Sequence, residues 1–79
     1  MRLDKYLKVS RIIKRRTVAN EACDAGRVEV NGKVARASYD VKVGDVIKVT
    51  LGTRETSYRV LEINEHALKD DAAKMYETV

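Results

Sequence analysis

Arg27-Val28-Glu29-Val30-Asn31-Gly32-Lys33-Val34-Ala35 alternates apolar and polar side chains on both sides of Asn31-Gly32. Period-two alternation marks half-buried strands, and Asn-Gly between two such runs is the strongest short signal for a hairpin. The middle of the chain is therefore expected to be an antiparallel ribbon. Towards the N-terminus, Gly26 stands where a helix would stop, because the residue past a helix end often turns left-handed and glycine does so freely. The helix before it is expected from about Thr17, with Thr17 as its N-cap. Val18, Ala19, Ala22 and Cys23 give it a narrow face for close packing. Earlier still, Leu3 and Leu7 stand four apart with Tyr6 alongside, the stripe of a short helix, and Arg2, Lys5 and Val9 project from its opposite side. Arg11 falls next in phase, so this helix is expected to break near Ser10.

Towards the C-terminus, Val41-Lys42-Val43 leads into a turn at Gly44-Asp45, and Val46–Leu51 reads as a strand. Gly52-Thr53 turns the chain into a further strand over Tyr58–Ile63. From about Asn64 the pattern is helical again, with Leu68, Ala72, Met75 and Tyr76 on one stripe. The expected fold is a small α+β domain: two short N-terminal helices on a small, mostly antiparallel sheet, plus a C-terminal helix.

Seventy-nine residues make one small domain with one modest core, so two-domain enzymes are excluded. The composition is globular, 44% hydrophobic and 35% charged. One cysteine cannot form an internal disulfide, which suits a reducing cytosol. No apolar run reaches the roughly 18–20 residues of a membrane span, and Met1-Arg2-Leu3-Asp4-Lys5 lacks a signal peptide's apolar stretch. The expectation is a cytoplasmic protein without a membrane partner.

Little in the chain suggests an active site. Cys23 sits among small apolar residues and reads as a packer. His66, the single histidine, reads as a surface residue, and one Cys with one His does not make a zinc site. Asp70-Asp71 reads as a complement to a helix N-terminus. No catalytic residue, metal or cofactor is expected.

The charge is another matter. Residues 1–36 hold ten basic and four acidic side chains, a balance of +6, whereas residues 37–79 balance at −2. One positive face for a polyanion is implied. Arg2, Lys5, Lys8, Arg11, Lys14, Arg15 and Arg16 lie on the first helix and the turn after it, and Thr17 opens the second. Guanidinium forks and helix N–H groups would meet phosphates together there. The ribbon adds Arg27, Lys33 and Arg36, with Asn31 at its tip. Lys8, Lys42 and Lys48 read as solvated side chains. Asn20, Glu21 and Asp24 face outward on the second helix and suit a major-groove reader of DNA poorly. Structured RNA, recognised through phosphates and 2′-hydroxyls, fits better.

Several ordered motifs carry a resemblance over residues 1–51. They are Arg2-Leu3-Asp4-Lys5-Tyr6-Leu7, Lys14-Arg15-Arg16-Thr17-Val18-Ala19, Ala25–Gly32, and Val41-Lys42-Val43-Gly44-Asp45 before an apolar strand. Together they resemble the RNA-binding domain named after small-subunit ribosomal protein S-four. Arg15 departs from the pattern, since many members have Ser there. That domain is often an appendage of a modification enzyme or synthetase, but only a strand and a helix are expected over 52–79, without a catalytic domain.

The opening Met1–Arg11, the run Ile13–Thr17 and the segment Ala72–Tyr76 are most similar to the RqcP family of bacterial ribosome-associated quality-control factors. The longer basic C-terminal extension usual in the related heat-shock proteins is not expected here. This resemblance implies binding to an obstructed large ribosomal subunit carrying peptidyl-tRNA. It also implies contacts with large-subunit rRNA and P-site tRNA, and support for RqcH as it adds alanine tails to the stalled chain. Arg2 and Arg16 would be the leading contacts, with Lys5, Arg11, Lys14 and Arg15 supporting. Asp4 would either orient Arg2 or a base, or simply favour the helix N-terminus. The chain would act as a monomer. A ribosome assembly factor or structural ribosomal protein is the alternative.

Overall fold

The computed structural model describes residues 1–79. Helices α1 (Leu3–Val9) and α2 (Arg16–Asp24) precede strands β1 (Val28–Val30), β2 (Lys33–Val34), β3 (Val46–Leu51) and β4 (Arg54–Val60). A short helix α3 (Lys69–Ala72) and a final strand β5 (Tyr76–Thr78) follow. The strands form one antiparallel sheet in the order β2-β1-β3-β4-β5. No helix is long and apolar enough to cross a membrane.

The ribbon forms as its sequence dictates. Val30 pairs with Lys33, and Asn31 (φ 53) and Gly32 (φ 84) both take the positive φ that a tight hairpin of this twist requires. Val28 pairs with Val49 and Val30 with Ile47, so these four face the core together. Residues between them face out, where Lys48 Nζ lies 3.1 Å from Glu29 and 3.6 Å from Glu55. Gly26 ends α2 as expected. Its N–H bonds to Cys23 O and that of Arg27 to Ala22 O, the paired bonds of a left-handed helix stop, with Gly26 at φ 74.

Helix α1 packs against α2, and its start is bonded to the segment before β3. Its first N–H groups are satisfied by backbone: Leu3 N–H donates to Tyr39 O at 2.8 Å and Asp4 N–H to Ala37 O at 3.1 Å. No capping side chain is needed. Leu3, Tyr6 and Leu7 are wholly buried, and the Tyr6 hydroxyl donates to Met75 O at 2.8 Å. The helix ends at Val9, and buried Ser10 donates its hydroxyl to Leu7 O.

Five local expectations need correction. Val9 is buried rather than turned out, because a seven-residue helix that buries Leu3, Asp4, Tyr6 and Leu7 as well has little free face. Val18 is 42% exposed, leaving Ala19, Ala22 and Cys23 as the packed face. Thr17 is not the N-cap of α2, since extended Arg15 holds that position and Arg16 is already helical. The strand expected over Tyr58–Ile63 runs instead over Arg54–Val60, its polar first half pairing with β3 from Arg54 opposite Leu51. The C-terminal helix is only four residues long. Ala72 and Met75 are buried, but Leu68 is exposed and Tyr76 enters β5, because β4 still offers an open edge to pair.

Candidate nucleic-acid interface

The site begins with one carboxylate. Asp4 lies in the first turn of α1 with its side chain 3% exposed. Such burial is costly for a charge unless it is well satisfied. Four residues satisfy it. Arg2 donates from Nε at 3.2 Å and from Nη2 at 3.4 Å, Arg16 from Nε at 3.3 Å, Asn20 from Nδ2 at 3.3 Å, and Lys5 from its backbone N–H at 2.8 Å. Burial pushes the Asp4 carboxyl up, but the bonds from Arg2, Asn20, Arg16 and Lys5 outweigh it and leave the pKa below the ordinary value.

That direction fixes a pH dependence. A carboxylate with a depressed folded pKa adds stability above its unfolded value, here 3.8, and loses it as pH falls through the folded value. The urea midpoint is therefore expected to drop as pH is taken down from about 4, and to drop less in Asp4→Asn. Midpoints for both proteins across pH 5 to about 2.5 check this; parallel curves would contradict the charge-based clamp.

The two guanidiniums are positioned rather than neutralised. Arg2 and Arg16 share one carboxylate, and their side chains remain 51% and 48% exposed. Arg16 commits only Nε, so both its terminal nitrogens are free of protein partners; Arg2 keeps Nη1 free. Planar N–H edges held this way match the oxygens of a phosphate. Of the two roles open to Asp4, the geometry supports orientation, extended from Arg2 to Arg16.

Three adjoining depressions, together a shallow groove, lie beside this clamp. Arg16, Thr17, Asn20 and Glu21 line its first part with Asp4; Arg2, Asn20, Asp24, Val34, Arg36 and Ser38 line the next; Lys33, Asn31 and Tyr39 continue it past Arg36. Arg16, Arg2, Arg36 and Lys33 thus line neighbouring depressions. Most of the other expected residues lie elsewhere. Lys5 is 3.8 Å from Glu65. Arg11 and Lys14 lie beyond the C-terminal end of α1. Arg15 and Arg27 are exposed at the two ends of α2, without ion-pair partners. The Asn31 amide is already engaged, donating to Asp45 and accepting from Val46 N–H, which ties the ribbon tip to β3.

Asn20, expected to face outward, instead turns to Asp4 and is half-buried, and it was missed as a site residue. It stands four after Arg16, hence on the same helix face, and that spacing was the available signal. Cys23 is the buried packer expected; burial, then Asp4 and Asp24, push its thiol up to about 11, so it is protonated near neutrality. His66 is exposed, and Asp70 and Asp71 do occupy the first turn of α3.

Comparison with known proteins shows the family. A model of the S4 domain matches residues 1–47. The chain is 54% identical over 79 residues to the RQC P-site tRNA stabilizing factor of Streptococcus pneumoniae, covering 100% of this chain and 90% of the relative. It is 51% identical over 76 residues to the protein of that name from Bacillus subtilis, covering 96% and 88%. The solved Heat Shock Protein 15 of Vibrio cholerae, described as trimeric, matches with a TM-score of 0.92 at 29% identity, over 100% of this chain and 81% of that one. The chain therefore belongs to the S4-domain family, in the branch that holds the RQC P-site tRNA stabilizing factors.

Proposed function

We propose that the chain is a non-enzymatic RNA-binding factor of ribosome-associated quality control. It binds obstructed large ribosomal subunits carrying peptidyl-tRNA, contacts large-subunit rRNA and P-site tRNA, and supports RqcH-directed alanine tailing of the stalled chain. It works in the cytoplasm, as a single copy. The observation that carries this reading is the Asp4 clamp, which aims Arg2 and Arg16 outward with N–H edges unused. The relatives' name, with its P-site tRNA, supports the choice of RNA. Arg36 and Lys33 extend the contact along the groove, and Lys5, Arg11, Lys14, Arg15, Thr17, Arg27 and Asn31 supply the periphery.

Co-sedimentation with large subunits bearing peptidyl-tRNA tests this reading. Arg2→Ala and Arg16→Ala are each expected to weaken binding by about 1–3 kcal/mol without unfolding the domain, because each removes one charged fork from the surface. Wild-type co-sedimentation by both variants would count against it. An even distribution on intact ribosomes would favour a structural ribosomal protein instead.

A further inference from the structure

We infer that Lys8, Arg11 and Lys14 build a second phosphate-binding patch, and that Arg11 is kept in a strained backbone conformation to complete it. The inference rests on the RNA-binding reading above and adds a separate contact surface to it. Arg11 has φ 63, in the left-handed region where a β-carbon crowds the backbone. It follows the end of α1, where its N–H bonds to Lys8 O at 3.1 Å and the Ile13 N–H to Leu7 O at 3.0 Å. Glycine is the usual residue at such a stop because it makes these bonds without strain. The turn has no use for an arginine side chain.

What the side chain does is point outward beside two other cations. Lys8, Arg11 and Lys14 line one depression with Val9 and Ala67, and none of the three makes an ion pair or a side-chain hydrogen bond. Lys5, Lys48 and Arg59, by contrast, are each answered by a carboxylate. The dipole of α1 accounts for Lys8 in its last turn. It does not account for Lys14, which lies five residues past the helix end. Three like charges around one hollow repel until an anion enters.

A backbone phosphate fits that hollow. A guanidinium fork between two point-charge lysines matches its oxygens. The apolar lining, buried Val9 and small Ala67, offers no anchor for a protein side chain. The patch shares no lining residue with the groove and sits at the opposite end of α1, about 10 Å away at 1.5 Å per helical residue. It therefore takes a different phosphate from the one at Arg2 and Arg16.

The test uses the full chain, a 16-base-pair duplex RNA as probe, fluorescence anisotropy at several salt concentrations, and thermal melting. Arg11→Gly is expected to melt higher, by roughly 4 °C. It should bind RNA at least fivefold more weakly, with a salt slope shallower by about 1. Arg11→Lys should retain most of the affinity, and Lys8→Ala with Lys14→Ala should weaken binding at an unchanged melting temperature. If Arg11→Gly melts no higher, the strain argument is overturned. If it binds RNA like wild type while Arg2→Ala does not, the patch is overturned and the groove stands. If neither variant changes RNA affinity, the RNA-binding reading itself fails. Loss of subunit co-sedimentation with RNA affinity intact would instead assign the patch to an acidic protein surface and overturn the proposal.

Discussion

Asp4→Ala is expected to weaken RNA binding by roughly 10- to 100-fold, although it makes the surface more positive. Counting charges alone gives the opposite sign, since removing a carboxylate from between Arg2 and Arg16 raises the local balance from +1 to +2. The clamp gives loss, because both guanidiniums lose the partner that holds them, and each well-placed fork is worth about 1–3 kcal/mol. A preorganised contact binds better than a floppy one because less freedom is lost on association. The stability cost should be of similar size, about 1–3 kcal/mol, and no larger because the freed guanidiniums already reach water. Anisotropy titrations of wild type, Asp4→Ala and Asp4→Asn decide between the two signs. Tighter binding by Asp4→Ala would show that the basic groups act as a diffuse field rather than as aimed groups.

Leu7→Ala should have the largest effect on folding. Leu7 is wholly buried, and its carbonyl accepts from both Ile13 N–H and Ser10 Oγ. Truncating such a side chain typically costs about 2–5 kcal/mol through lost transfer energy and a residual cavity. A chain of this length is expected to have only about 4–12 kcal/mol in total. Urea denaturation should show a midpoint lowered by a third or more with little change in slope. RNA binding at saturating RNA should survive where the variant is still folded, because Leu7 touches none of the cations of the clamp. A midpoint within a tenth of wild type would contradict the packing described for α1.

The sequence was most readable where local chemistry and tertiary structure agree. Asn31-Gly32 demands the left-handed pair that the hairpin contains, Gly26 stops α2 for the same steric reason, and the Leu3–Leu7 stripe buries as its spacing requires. Misreadings arose where distant partners override local preference. Thr17 is a good cap by type, yet Arg16, tied to Asp4 twelve residues earlier, is already in the helix. Glu55-Thr56-Ser57 looks like loop but is paired to β3, and Met75-Tyr76 has helical spacing but is drawn onto the edge of β4. At the site, the basic residues were visible as types, whereas their division into an aimed pair, a groove and a separate patch was not. That division depends on Asp4 being buried and on Asn20 turning inward, both set by how α1 and α2 cross.

The Tyr6 hydroxyl reaches Met75 across 69 positions of sequence, so the first helix is fastened by the segment between α3 and β5. A copy cut short before Met75 leaves that hydroxyl without its acceptor and removes a wholly buried methionine from beneath the helix. Loss of the segment around Met75 would therefore loosen α1 and, with it, the Asp4 clamp that the helix carries.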